Sequence, residues 1–175
     1  NESTTVKSRV LNAITWSALN EAVFAVGPVV ENLRITEIMY HPADLDAEFI
    51  ELKNIGTEAI NLNLVKFTKG IDFTFGDQVL NPGQHTVVGL DIATYPANYP
   101  TGASGDSAGP YVGKLDNDGD RIELKDAVGT VIQNFRFNGG WYVITDGGGF
   151  SLTVRDADNA DPTIDGEKDT WRAST

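Results

Sequence analysis

Leu33–Lys53, LRITEIMYHPADLDAEFIELK, reads as two strands joined by a short polar connection. Leu33, Ile35 and Met39 share one parity, and Phe49, Ile50 and Leu52 close the second run. Between the runs, His41-Pro42-Ala43-Asp44 is turn chemistry, because proline fixes φ and the aspartate side chain can bond its own backbone. Three acids, Glu37, Glu48 and Glu51, interrupt these apolar runs and are the first candidates for a site.

Working outward, short alternating runs separated by turn signals continue to the end of the chain. Ile60, Leu62 and Leu64 alternate with polar residues, as do Ile71, Phe73 and Phe75. Leu80-Asn81-Pro82-Gly83 turns into the strand His85–Gly89, and Arg121–Lys125, Thr130–Phe137 and Phe150–Arg155 complete the set. No long helical pattern lies between them, so the spacing predicts an all-β antiparallel sandwich. The 175 residues suit one ordinary domain or one domain plus a fragment. A chain of that length buries roughly 70% of its unfolded surface and needs no disulfide or metal to fold.

Composition narrows the function. There is no cysteine, which removes disulfides, thiolate zinc sites and cysteine nucleophiles. A net charge of −12 repels nucleic acid and anionic lipid, and suits cations or neutral ligands such as sugars. No run approaches the ~20 apolar residues of a membrane span. The chain opens at Asn1 without a leader pattern and is read as a segment of a longer protein, with any signal peptide outside it.

Residues 1–28 predict a β-hairpin. Thr4–Leu11 goes out, Asn12–Thr15 turns, Trp16–Val26 returns and Gly27-Pro28 punctuates. An isolated hairpin is marginal in water, so this one must pack on something. The stretch VKSRVLNAITWSALNEAVFAV resembles the last hairpin of β-sandwich domains that end many secreted bacterial carbohydrate-active proteins. That implies a C-terminal remnant of a preceding sandwich, with 29–175 as the main domain. The alternative is that it adds strands to that main domain.

A second resemblance covers about Leu33 to the C-terminus. Ile35–Tyr40, Glu48–Asn54 and Asn61-Leu62 are similar to the opening of the bacterial lamin tail domain. Leu80–Gly83, Asn117–Leu124, Trp141, Asp146–Leu152 and Trp171–Ser174 follow in the same order. The family implies an immunoglobulin-like fold and no enzymatic activity. It also implies residence in large secreted or cell-surface proteins, beside catalytic, adhesive or sugar-binding modules. The expected role is therefore a non-catalytic interaction or spacer module. Its expected partners are other domains of the parent chain, a protein or an extracellular polysaccharide, with no nucleic acid and no membrane insertion.

Several constellations are weighed against this reading. Gly105-Asp106-Ser107-Ala108-Gly109 matches a nucleophile elbow and resembles the Gly-Asp-Ser-Gly-Gly of trypsin-like proteases, with His85 and Asp91 upstream. An elbow needs an apolar strand before it and a helix after it, and here proline and glycine surround it. Asp116, Asp118 and Asp120 offer hard oxygens for Ca²⁺, but the sixth loop position is Arg121 and the twelfth is Ala127, so a tight turn is favoured. Asp156, Asp158, Asp161, Asp165 and Asp169 form a second acidic group. Glu48 and Glu51 are three apart in a strand and point to opposite faces, so a glycosidase-like pair requires Glu37 with one of them. A metal-dependent hydrolase using the acidic turns is the least favoured reading. Two histidines are too few for a three-histidine zinc site.

Aromatic residues supply the remaining candidate. Tyr95, Tyr99 and Tyr111 lie in the long Pro/Gly-rich connection Asp91–Gly113, and connections of that length are commonly functional. With Trp141 they are a candidate platform for carbohydrate or another neutral polymer. Trp16 and Trp171 are expected in cores.

Overall fold

The computed structural model describes residues 2–93, 107–158 and 166–175. The N-terminal hairpin forms as expected. Strand β1 (Thr4–Ser8) pairs antiparallel with β4 (Asn20–Phe24), and at the tip β2 (Leu11–Asn12) pairs with β3 (Thr15–Trp16). The turn is Ala13-Ile14, and Ala13 takes a left-handed φ of 55°. These strands join neither of the larger sheets. Trp16 is half exposed, under the Arg9 guanidinium at 4.3 Å, and does not enter a core.

After a single helical turn, α1 (Val29–Asn32), the sandwich begins. Its strands run β5 (Leu33–Met39), β6 (Phe49–Asn54), β7 (Ile60–Asn61), β8 (Lys66–Lys69), β9 (Phe73–Thr74) and β10 (Val79–Leu80). They continue as β11 (His85–Gly89), β12 (Ser107–Ala108), β13 (Arg121–Lys125), β14 (Val131–Arg136), β15 (Leu152–Val154) and β16 (Trp171–Ala173). One sheet has the order β12-β11-β6-β5-β15-β16, antiparallel except where β11 meets β12. The other has the order β14-β13-β8-β9. The core between them takes Ile35, Ile50 and Leu52 from the first sheet and Phe67, Ile122, Leu124 and Ile132 from the second. This is the all-β antiparallel sandwich expected from the alternation, and of the immunoglobulin-like kind that the resemblance implies.

Register shifts occur where β13 meets β14 and β8, and at one place in the larger sheet. The pairing of β5 with β6 shifts between Ile35 and Glu37: Ile35 faces Leu52, and Glu37 faces Glu51. Thr36 is therefore an extra residue, a β-bulge. A shift of one residue moves every later side chain to the opposite face. Leu33 and Ile35 point to the core before the bulge, and Ile38 and Tyr40 do so after it. Met39 does not share the face of Leu33 and Ile35 as simple parity predicts. It lies on the outer face with Phe49 and Val87 in a separate small cluster.

The bulge region is held from across the sandwich. Beyond Glu37, toward its N-terminal end, β5 has left its pairing with β15, which meets only Glu37 and Ile38. There Ile35 N–H donates to Gln133 Oε1 of β14 at 2.6 Å, both residues buried. Arg34, also buried, donates through Nη1 to the carbonyls of Val30 (2.9 Å) and Leu33 (2.7 Å), closing the helical turn. Trp171 of β16 is fully buried, with its ring 5.6 Å from that of Phe135 on β14. The two sheets are thus joined along one side by a buried amide bond and an aromatic pair.

Replacing Gln133 with leucine strands the Ile35 amide. An unmade buried bond costs about 1–3 kcal/mol, so the melting temperature should fall by roughly 2–4 °C per kcal/mol in a chain of this size. Thermal unfolding of Gln133→Leu against Gln133→Glu checks this, and equal melting temperatures for wild type and the leucine variant would refute it.

Candidate functional site

The bulge sets what the outer face of the six-stranded sheet displays. Register places Val87, Glu51, Glu37, Thr153 and Arg172 in one row across β11, β6, β5, β15 and β16. Glu37 and Glu51 are direct cross-strand neighbours, which puts their Cβ atoms about 5 Å apart. Each acid has protein partners. Ser151 Oγ donates to Glu37 Oε1 in a very short bond. Thr36 Oγ1 donates to Glu51 Oε1 at 2.5 Å. His85 Nδ1 stands 2.9 Å from the same oxygen, without hydrogen-bond geometry. At the margin of the row, Lys53 Nζ contacts Asp158 Oδ1 at 2.5 Å, which holds the Asp158 carboxyl below its ordinary range.

Burial raises the Glu37 carboxyl above the ordinary carboxylate range. The Ser151 bond works against that rise, the Glu51 charge adds to it, and His85 and Arg172 oppose it. Two like charges facing each other on adjacent strands disfavour the doubly ionised state. The row does not have the geometry of a hydrolytic pair. A glycosidase pair flanks its substrate across a cleft, whereas these carboxyls lie side by side on a pleated sheet and are tied to Ser151 and Thr36.

Glu48 behaves differently, as the alternation predicts. It turns away from Glu51 and is almost fully buried. Its Oε2 accepts from Tyr111 Oη at 2.9 Å and from Leu115 N at 3.0 Å. Burial raises its pKa, and the Leu115 and Tyr111 bonds pull it back. Burial and the Glu48 charge likewise push the Tyr111 phenol well above its usual range. Glu48 is a lock between β6 and the segment entering β13. Tyr111, a candidate for the ligand platform, is its partner and is only 3% exposed, so its ring presents no surface to a ligand.

The other sequence candidates fall as follows. Tyr95, Tyr99, Asp161 and Asp165 lie outside the described residues. Trp141 ends a 3-10 helix (Gly139–Trp141) and rests partly buried against the core beside Tyr142, also partly buried. Asp116 Oδ1 accepts from Asp118 N at 2.9 Å, and Asp120 Oδ1 from Arg121 N at 2.6 Å. Gly119 takes a φ of 113°, and a Cβ there would meet the Phe137 carbonyl at 2.4 Å. The loop therefore has turn geometry, with Asp116 and Asp120 aimed at backbone amides. Among the described residues no group of three or more histidine, aspartate or glutamate side chains converges as a metal site would. Ser107 sits in the two-residue strand β12, not at a strand-to-helix elbow, and Asp91 Oδ1 accepts from Ala93 N at 2.8 Å. His41 Nδ1 contacts Asp146 Oδ1 at 2.7 Å, pinning the turn after β5 to the loop before β15.

Two structural residues escaped the sequence reading. Gln133 looks like any polar strand residue, and its partner is 98 positions away. Glu123 on β13 gathers Thr68 Oγ1 (2.7 Å), Lys125 Nζ (2.9 Å) and Asn134 Nδ2 (2.7 Å). The Lys125 bond, then that from Thr68, lowers its pKa. The sequence marks the bulge only ambiguously, since Ile38 and Tyr40 leave the odd parity of Leu33 and Ile35 while Met39 keeps it.

The family model described as Lamin Tail Domain matches residues 28–139. The match starts where the hairpin ends and stops before β15 and β16, which complete the larger sheet. Comparisons with curated proteins and with solved structures returned no match.

Glu37 and Glu123 should respond to pH in opposite senses. A raised carboxyl contributes fully below its unfolded value, roughly 4.3, and loses that contribution as pH rises through its folded value. Glu123, being lowered, contributes above the unfolded value and loses it as pH falls. Glu37→Gln should therefore raise the melting temperature at pH 8 by about 1–4 °C, for up to about 1 kcal/mol of relieved desolvation and, secondarily, repulsion from Glu51. The gain should vanish near pH 4, as thermal melts across that range would show. Glu48→Ala should destabilise by about 1–3 kcal/mol at neutral pH, measured by urea unfolding.

Proposed function

The chain belongs to the lamin tail domain family, and we propose that it serves as a non-catalytic interaction or spacing module of a larger secreted or cell-surface bacterial protein. The family is one of non-enzymatic immunoglobulin-like domains. One observation carries the reading furthest. The acids and hydroxyls that suggested chemistry are bonded within the protein: Glu48 to Tyr111 and Leu115, Glu37 to Ser151, Glu51 to Thr36. These bonds make them fastenings of the sandwich. The net charge of −12 fits a module that stays soluble and avoids nucleic acid and anionic membranes. The preceding hairpin, separate from both sheets, fits the part of a neighbouring domain or the joint to one.

Incubation with a panel of generic esters and glycosides should give no turnover. Ca²⁺ or EDTA should leave the melting temperature unchanged. A reproducible rate abolished by Glu37→Gln or Glu51→Gln would overturn the non-catalytic reading. Binding on a glycan array that is lost in both Trp141→Ala and Tyr99→Ala would replace the spacer role with polymer recognition.

A further inference from the structure

We propose that copies of this chain associate head to tail, the tip of one copy's N-terminal hairpin docking on the far end of the next copy's sandwich. The inference goes beyond the module reading above and does not depend on it.

The two most exposed large apolar side chains among the described residues are Ile14 (95%) and Val143 (84%). They stand at opposite ends of β5. Ile14 belongs to the hairpin, which leads through α1 into Leu33, the first residue of that strand. Val143 lies past the last residue, Met39. There Tyr40 Oη is hydrogen-bonded to Thr145 Oγ1 at 2.9 Å, and His41 Nδ1 contacts Asp146 Oδ1 at 2.7 Å. Each has exposed apolar company: Val10, Leu11 and Trp16 at the tip, and Leu45, Ile144 and Phe150 at the far end. Leu45 sits between β5 and β6, and Phe150 precedes β15, whose Leu152 faces Ile38. Apolar surface gathered in this way marks a site of association.

Charge selects a second copy as the occupant. Residues 4–24 carry Lys7, Arg9 and Glu21, a net +1 on a chain at −12. The connections 41–47 and 142–150 carry Asp44, Asp46 and Asp146 and no lysine or arginine. A weakly cationic apolar tip therefore matches an acidic apolar end, and every copy supplies both. The hairpin stands clear of its own sandwich, since residues 6–25 are exposed throughout. Its base is fastened: Ser3 Oγ accepts from Val26 N at 3.1 Å, and Asn63 Nδ2 of the sandwich donates to the Ser3 carbonyl at 2.7 Å. Extended strand at about 3.3 Å per residue carries the tip roughly 30 Å from Thr4. Side-by-side packing would press two acidic bodies together. Contact through the hairpin keeps them further apart than the Debye length of about 8 Å at physiological ionic strength. Two unlike surfaces form a heterologous interface, which repeats from copy to copy.

Sedimentation velocity on the 175-residue chain tests this. Over a concentration series up to about 1 mM, where even weak interfaces fill, the average mass should rise at least about twofold above 18.9 kDa. Ile14→Asp and Val143→Asp should each weaken association by about tenfold or more. Their melting temperatures should match wild type, because both side chains are exposed within one copy. Mixing the two variants should restore association as a one-to-one dimer, since one still supplies an end and the other a tip. A chain that stays monomeric throughout the series would overturn the proposal. So would a mixture no more associated than its separate components, the mark of like surfaces pairing.

Discussion

One extra residue in β5 decides what each face of the larger sheet carries. Without Thr36 as a bulge, Glu37 would follow Leu33 and Ile35 into the core, and an uncompensated carboxylate there would cost more than its neighbours could return. With the bulge, Ile38 and Tyr40 take the core positions and the acid goes outward. Such a slip is tolerable only if the displaced backbone groups find partners. The Ile35 amide finds Gln133 on the opposite sheet, and Thr36 turns its hydroxyl to Glu51. The larger sheet's outer row and the closure between the sheets therefore depend on the same irregularity.

The buried polar residues elsewhere follow the same logic. Asn54 is fully buried at the end of β6 and donates to the carbonyls of Glu58 (2.8 Å) and Leu80 (2.9 Å) while accepting from Gly56 N (3.0 Å). Glu48 holds two donors and Glu123 gathers several. A satisfied polar group inside a sandwich fixes one register among several that an apolar contact would allow, since only one brings donor to acceptor. In a sandwich with strands as short as β7, β9 and β10, apolar pattern alone specifies register weakly. The polar locks supply what strand length does not, and they occupy the residues that a sequence reader would first suspect of chemistry.

Legibility in the sequence followed range. The strands and turns rest on period-two alternation and on residues such as Pro82 and Gly119, which act locally, and these were readable. The opposite orientations of Glu48 and Glu51 also follow from a three-residue spacing in one strand. The adjacency of Glu37 and Glu51 needed the pairing of β5 with β6, and the partners of Glu37 and Glu48 come from more than sixty positions away. No local signal distinguishes a Gln133 that reaches across the core from one that faces water. Tyr111 misled for a related reason. A tyrosine among prolines and glycines reads as a surface aromatic until the buried acid that claims its hydroxyl is known. Trp16 misled in the other sense, because composition says tryptophan is buried and cannot say that its element stands apart.

The order of the larger sheet also bears on how the chain is made. On one side of β5 lie β15 and then β16, both from the last part of the sequence, with Trp171 followed by four residues. During synthesis β5 emerges early, pairs with β6, and then keeps its other side bare until nearly the whole domain has been translated. The hairpin and the β13–β14 pair are local and can form as they appear, whereas the core must wait for Trp171 to arrive. Until then the nascent domain has an unfinished seam beside its central strand, the kind of exposed edge that chaperones or neighbouring domains must shield.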